Sequence, residues 1–294
     1  MNSIIVVFDN KAPSFCNYSS NASMKDTLKI IDFDLFSNLI DSIVDENLGI
    51  ILVHSNIINQ EYENVLDKCN FTRIIPPNLL SFYSKDNNIV VTLSVEECFS
   101  VDEKLLVEDL ERVLIIRVNK NNLSNLNRAI LNLYRVAKRI NIVFESSELL
   151  ATDQLLMYKK ELCIIKDTII KNSTLNSKVT EINAFTDSLL NKSHNFCNAG
   201  KDHITMNYTG KFYICPAFIY DDKFKSLENV NIASDFSLGY NSLNQIELCL
   251  NCPNNQCQNC FYFNKLTTEE FNIPSYEQCD RSNIEKEIAD SFIQ

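Results

Sequence analysis

The chain has 294 residues, a formal net charge of −11 at pH 7 and only four glycines. So acidic a chain repels the phosphates of nucleic acids and of anionic membranes, and we expect neither as a partner. Hydrophobic residues make up 45% of the chain, enough to bury a core, but no apolar run approaches the ~20 residues that a transmembrane helix needs.

Strand-like and helix-like patterns alternate through residue 171. The strand-like segments are short continuous apolar runs, typical of strands buried in a parallel sheet, and they span 4–8, 50–53, 88–93, 113–118 and 140–144. The helix-like segments carry their apolar residues on one face and span 34–46, 60–69, 101–112, 122–139 and 152–171. Asp34 is the predicted N-cap of the first helix.

Five strand–helix pairs predict parallel βα units, and therefore an α/β fold with a partial, barrel-like (βα) domain over residues 1–172. The same alternation is compatible with a doubly wound sheet, and alternation alone does not distinguish the two folds. Residues 173–196 are rich in Asn, Ser and Thr, with an amphipathic stretch near 182–190, and are predicted to be a linker. Residues 197–294 are predicted to form a second, cysteine-rich domain.

Seven of the eleven cysteines lie between residues 197 and 279. Four of them form a tight group with the spacing C-x2-C-x4-C-x2-C, which begins at residue 249. The seven are Cys197, Cys215, Cys249, Cys252, Cys257, Cys260 and Cys279.

Three kinds of chemistry use such a group of thiols. Disulfides need an oxidising compartment, but the sequence begins MNSIIVVFDN, without the basic region or cleavage site of a signal peptide, so we predict a cytoplasmic protein with reduced thiols. Structural zinc takes four cysteines in a tetrahedron and would leave three thiols over. Iron–sulfur clusters are also held by thiolates, and seven thiols suit one cluster with four protein ligands and another with three. We favour the two clusters, with zinc as the alternative.

The residues around Cys215 predict a β-hairpin. Residues 203–208 and 211–214 alternate between apolar and polar side chains on either side of a Thr209–Gly210 turn, and Gly210 supplies the positive φ that a tight turn needs. The order of cysteine, hairpin glycine, second cysteine, four-cysteine knot and lone cysteine resembles the SPASM domain. That domain extends many radical S-adenosylmethionine enzymes that modify peptides, and it usually carries auxiliary iron–sulfur clusters. Its usual knot is C-x2-C-x5-C-x3-C, so the knot here is one residue shorter in each of the last two gaps.

The resemblance to the SPASM domain implies two iron–sulfur clusters of the [4Fe–4S] type. One would be held by the four thiols of Cys249, Cys252, Cys257 and Cys279. The other would be held by the three thiols of Cys197, Cys215 and Cys260. Its remaining iron would take water, a substrate thiol or a side chain such as His203, although a lone histidine in a predicted strand is more simply a strand residue.

The loop after the first strand lacks the motif that holds the S-adenosylmethionine cluster. Radical S-adenosylmethionine enzymes carry C-x3-C-x2-C in that loop, whereas residues 9–18 contain Cys16 alone. The segment Phe15–Tyr18 within this loop, the βα region and the seven-cysteine tail together resemble the CXXX repeat peptide maturases, a family of bacterial proteins. The resemblance covers the organisation of the whole chain.

The resemblance to this family implies an accessory maturase for a ribosomally synthesised, cysteine-repeat peptide. Its expected partners are a radical S-adenosylmethionine enzyme and the cysteine-rich precursor peptide, and it would not cleave S-adenosylmethionine on its own. The alternative hypothesis is a zinc-stabilised scaffold that binds a peptide and has no redox role.

Other candidate residues have structural interpretations that we favour. Asp9 and Glu145 follow predicted strands, where βα loops build sites, but a carboxylate at a strand end more often caps a helix or forms a turn. The cysteines outside the tail share no ligand spacing, so we expect them to be structural or inert thiols. They are Cys16, Cys69, Cys98 and Cys163.

Overall fold

The structure is a computed structural model of the chain. It describes residues 2–19, 27–84, 86, 88–102, 112–145, 148–172, 180–190, 199–221, 223–227, 230, 249, 252, 254, 257, 259–271 and 273–292.

Nine strands form one mostly parallel sheet in the described part of the chain. They are β1 Ser3–Val7, β2 Gly49–Val53, β3 Phe71–Ile75, β4 Ile89–Ser94, β5 Val113–Val118, β6 Arg139–Phe144, β7 Glu181–Ile182, β8 His203–Met206 and β9 Phe212–Tyr213. Their order is β7-β6-β5-β4-β3-β2-β1-β8-β9. Strand β8 lies parallel to β1, and β9 pairs antiparallel with β8, so the predicted hairpin before Cys215 is confirmed.

From β1 to β7, each strand lies beside its successor in the chain. Over these seven strands the order does not reverse, as it would in a doubly wound sheet, and this steady progression is the one that parallel (βα) barrels use. The predicted α/β class is therefore confirmed. The sequence predicted five strands where the structure has six, β1 to β6. The strand that was not predicted is β3, Phe71–Ile75.

Eight α-helices lie in the described residues. They are α1 Phe33–Asp45, α2 Gln60–Leu66, α3 Leu80–Tyr83, α4 Leu126–Leu133, α5 Thr152–Asn172, α6 Asn183–Leu190, α7 Phe261–Thr268 and α8 Tyr276–Asp290. The cap of α1 was predicted wrongly, because Asp32 rather than Asp34 accepts the N–H of Leu35, at 3.1 Å. The helix predicted over 122–139 is also shorter, and most of the one predicted over 101–112 lies outside the described residues.

The chain divides into two compact units, each built from two stretches of sequence. The first comprises residues 1–92 and 198–242, and the second comprises residues 93–197 and 243–294. In the first unit, one face of β1, β2 and β8 is buried with α1 and α2, around the fully buried Ile4, Phe36 and Ile40. In the second unit, α8 packs against α5 and α6. The domain boundaries predicted at 172 and 197 stay a prediction.

Candidate metal centre

Six of the seven predicted ligand cysteines lie in the described residues, and Cys197 lies outside them. Cys215 directly follows the β8–β9 hairpin in the first unit, where Gly210 has a φ of +81° as the turn requires. The other five belong to the second unit, and their side chains range from half-buried to exposed. They are Cys249, Cys252, Cys257, Cys260 and Cys279.

Local backbone structure presents these cysteines at a turn and at two helix starts. The N–H of Cys252 donates to the carbonyl of Cys249 at 3.1 Å, which closes a turn over the first C-x2-C pair. Cys260 is the N-cap residue of α7, and Cys279 lies in the first turn of α8, which Ser275 caps by accepting the N–H of Gln278. The positive end of a helix dipole favours a thiolate, so Cys260 and Cys279 occupy positions suited to anionic ligands.

A network of buried side-chain amides ties these two helix starts together. Asn264 on α7 is fully buried, and its Oδ1 accepts from Nε2 of Gln278 at 2.5 Å. The other end of Gln278 accepts the backbone N–H of Cys260 at 2.9 Å. The amide nitrogen of Asn264 donates to Asn259 and to the carbonyl of Phe271, both at 2.8 Å. Because every link is buried or partly buried, the network fixes the position of Cys260 relative to α8.

Four thiols of the second unit act on one another electrostatically. Burial raises the pKa of Cys257 to about 12, with further increases from the thiols of Cys249, Cys279 and Cys252, while a hydrogen bond with Ser282 opposes the rise. The pKa of Cys279 is likewise raised by burial and then by Cys249 and Cys252. The thiols of Cys249, Cys252 and Cys279 therefore lie close enough to Cys257 to oppose its ionisation. These four thiols are also the ones that the SPASM resemblance assigns to one cluster, and their ligation of a cluster stays a prediction.

The donor chemistry of this group fits a metal. A bound cation deprotonates coordinating thiols and removes the repulsion among them, and thiolate sulfur suits both iron–sulfur clusters and zinc. Within the ranges that the structure describes, no group of three or more His, Cys, Asp or Glu side chains is arranged as a metal site.

The loop after β1 is held closed by its own hydrogen bonds. The side chain of Asn10 donates to the carbonyl of Thr27 and accepts the N–H of Lys29, at 3.0 and 2.8 Å. Further along, the Ser14 hydroxyl donates to the carbonyl of Ser19 at 2.9 Å. This loop is where radical S-adenosylmethionine enzymes carry three cysteines, and here Cys16 is the single thiol.

The remaining acidic candidates have structural roles, and the predicted turn is found at Asp9, whereas Glu145 forms an ion pair in place of the predicted cap or turn. Asp9 is fully buried and forms the predicted turn, since its carboxylate accepts from the N–H and the hydroxyl of Ser55, both at 2.7 Å, and from the N–H of Lys11. Glu145 forms an ion pair with Arg117 at 3.0 Å.

Two of the thiols outside the tail, those of Cys98 and Cys69, and His203 also occupy structural positions. Cys98 is fully buried, its thiol donates to the carbonyl of Ser94, and burial raises its pKa to about 12. Burial raises the pKa of Cys69 to about 11, so neither thiol is reactive near neutral pH. His203 is the first residue of β8 and pairs with Ser3, as expected of a strand residue.

Sequence reasoning missed one grouping in the first unit. Burial raises the pKa of Tyr220, and nearby Asp9, Tyr208 and Cys16 raise it further. The Tyr220 hydroxyl is buried and has no hydrogen-bond partner among the described residues. No spacing rule connects these residues, because they come from three separate stretches of the chain.

The fold defines a mixed α/β protein with a mostly parallel nine-stranded sheet. Among solved structures it is similar to SuiB of Streptococcus suis, with a TM-score of 0.56 and 10% sequence identity, over 94% of this chain and 76% of that one. At this identity the likeness shows the fold alone. No family model and no curated protein matches the sequence. None of the described helices is long and apolar enough to cross a membrane.

Proposed function

We propose that this protein is an accessory maturase for a ribosomally synthesised, cysteine-repeat peptide, and that its tail carries two [4Fe–4S] clusters. The observation that carries the proposal is the grouping of four thiols in one part of the second unit. The fold supports the peptide-modification part, since SuiB is a radical S-adenosylmethionine peptide maturase and the likeness to it is a distant one.

The ligands are divided as the family resemblance implies. The first cluster takes the four grouped thiols, Cys249, Cys252, Cys257 and Cys279. The second takes the thiols of Cys197, Cys215 and Cys260, with one iron completed by water, His203 or a thiol of the peptide. Such clusters supply one-electron redox chemistry when bound. The chain itself tunes that chemistry through half-burial of the thiols, the Ser282 hydrogen bond to Cys257 and the amide network that holds the backbone of Cys260.

The radical would be generated by a second protein, a radical S-adenosylmethionine enzyme. With Cys16 as the single thiol after β1, this chain has no three-cysteine site in that loop. A net charge of −11 favours a basic face on the partner or a basic leader segment on the peptide, and such contacts weaken as salt is added.

Co-expression with a candidate radical S-adenosylmethionine enzyme and the precursor peptide tests this role. We expect a heteromeric complex by size exclusion and light scattering, and loss of peptide maturation in a strain that lacks this protein. A lone monomer in the presence of both, with maturation unimpaired in the deletion strain, would rule the accessory role out.

A zinc-stabilised peptide-binding scaffold is the second candidate function. The same four grouped thiols, Cys249, Cys252, Cys257 and Cys279, match the all-cysteine ligand set of a tetrahedral structural zinc. The metal content of protein purified without oxygen separates the two candidates.

A further inference from the structure

A polar cleft lies in the second unit beside the carboxyl ends of α4 and α5. Its volume of about 410 Å³ falls within the ~300–1,000 Å³ that is usual for small-ligand sites. It is lined by Leu131, Tyr134, Arg135, Thr168, Ile169 and Asn172. Since none of these residues belongs to the cysteine-rich tail, what the cleft binds does not depend on the proposed maturase function.

Arg135 is held in an unusual backbone conformation at this cleft. Its φ is +86°, in the left-handed region that residues other than glycine rarely occupy. Its backbone N–H donates to Oγ1 of Thr180 at 3.0 Å, and its Nη2 donates to the carbonyl of Asn172 at 3.1 Å. Strain of this kind persists where the surroundings fix it and is concentrated at ligand sites. The backbone of Arg135 is therefore anchored, and its exposed side chain has one hydrogen bond, to the carboxyl end of α5.

The groups around Arg135 suit an anion with an apolar neighbour. A guanidinium has five N–H donors in a planar fork that matches a carboxylate, and the bond to Asn172 uses one of them. That same bond offsets the partial negative charge at the carboxyl end of α5, which would otherwise repel an anion. Tyr134 lies within the electrostatic reach of Arg135, because burial raises the pKa of Tyr134 and the Arg135 charge opposes that rise. Leu131 and Ile169 add apolar wall.

We propose that this cleft binds a carboxylate attached to an apolar group, either a small organic acid or the C-terminus of a peptide. The guanidinium of Arg135 and the hydroxyl of Tyr134 hold the carboxylate oxygens, while Leu131 and Ile169 contact the apolar group.

The probe is a fluorescein-labelled trialanyl-leucine peptide with a free C-terminal carboxylate, compared with its carboxamide by fluorescence anisotropy on the full chain. Loss of a charge-assisted pair predicts that the carboxylate binds at least about tenfold tighter than the amide. Arg135→Gly should lower the affinity for the peptide carboxylate to that for the carboxamide. Glycine favours a positive φ, so this variant should melt no lower than the wild type. Lys171→Gln is the matched control, since Lys171 is a cation in the last turn of α5 that does not line the cleft, and it should leave affinity within about threefold.

Competition with N-acetyl-leucine distinguishes the two sources of carboxylate. Displacement of the peptide shows that a free acid is sufficient, and persistence of the labelled peptide identifies a peptide C-terminus. Equal affinity for acid and amide, no binding of either, or undiminished binding by Arg135→Gly would overturn the proposal. Should Arg135→Gly fail to fold, Tyr134→Phe serves instead, with an expected loss of about threefold or more for the acid alone.

Discussion

Replacing Asn264 with leucine should loosen the region that presents the cysteines of the second unit. The change keeps the approximate volume of the side chain but removes its amide. Gln278 and Asn259, which are 2% and 1% exposed, would each lose a hydrogen bond and stay buried. An unsatisfied buried polar group costs about 1–3 kcal/mol, so two cost about 2–6 kcal/mol. The added apolar burial of leucine returns about 1.5–3 kcal/mol, and the midpoints of the two ranges leave a net loss near 2 kcal/mol.

Hydrogen–deuterium exchange of the amides of α7 and α8 measures this loss locally. A destabilisation of about 2 kcal/mol makes exchange through opening about 30-fold faster in these helices. Lys265→Leu is the matched control, because Lys265 is the next residue on α7 and its ammonium takes no part in the amide network. It donates to the carbonyl of Glu269 and lies 5.2 Å from the centre of the Phe271 ring. This control variant should change exchange less than about threefold. Unchanged exchange in Asn264→Leu, or equal acceleration in both variants, would refute the role of the amide network.

Three other predictions concern the first unit. Burial lowers the pKa of His54 from 6.5 to about 4, so the unfolded chain takes up the proton first, and about 3 kcal/mol of stability present above pH 6.5 is lost as the pH falls towards 4. Denaturation midpoints should therefore fall with acid in the wild type and fall less in His54→Gln; parallel profiles would contradict this. Gly210→Ala should lower the free energy of unfolding by about 1–3 kcal/mol, because φ is +81° and the new Cβ would lie 2.5 Å from Leu35. A thermal melt measures this loss. Gly49→Ala is the control and should be tolerated, since its new Cβ would have no atom closer than 3.7 Å. Incubation with S-adenosylmethionine and a strong reductant should give no 5′-deoxyadenosine above background, and robust production by the isolated chain would show that the loop around Cys16 has been misjudged.

The alternation of strands and helices was predictable from the sequence because most strands are continuous apolar runs. Strand β3 is the exception, since Arg73 interrupts its pattern. The structure buries that arginine by pairing it with Glu63 and Asp86 and stacking it on Tyr83, and no local periodicity reveals partners of this kind. Contacts with residues distant in sequence therefore stabilise a strand at β3, where composition alone was ambiguous.

The helix predicted over 122–139 failed for a related reason. Its apolar spacing continues to Ala137, but α4 ends at Leu133, where Tyr134 turns to extended geometry and Arg135 adopts its left-handed conformation. Hydrogen bonds from Arg135 to Thr180 and Asn172, both distant in sequence, stabilise that ending. The periodicity of apolar residues predicts which face of a helix is buried. It does not predict where contacts with distant residues end the helix.

In the tail, sequence reasoning located the thiols but not their supports. Cysteine spacing is visible directly, and the hairpin that precedes Cys215 was predicted from its alternation and its glycine. From the sequence alone, Asn264 and Gln278 would be expected at the surface, because they are polar. The sequence does not show that hydrogen bonds within the protein allow both side chains to be buried.

The most direct test of the central claim is the iron and sulfide content of the protein purified without oxygen, measured together with its visible spectrum. Two [4Fe–4S] clusters predict a brown protein with about eight iron and eight sulfide per chain and a broad charge-transfer band. Cys257→Ser should lower the iron content by about half, because one cluster loses a ligand. Cys163→Ser removes a thiol of α5 outside the tail and should leave the content unchanged. A colourless protein with one zinc per chain, or equal iron in Cys257→Ser and the wild type, would contradict the account.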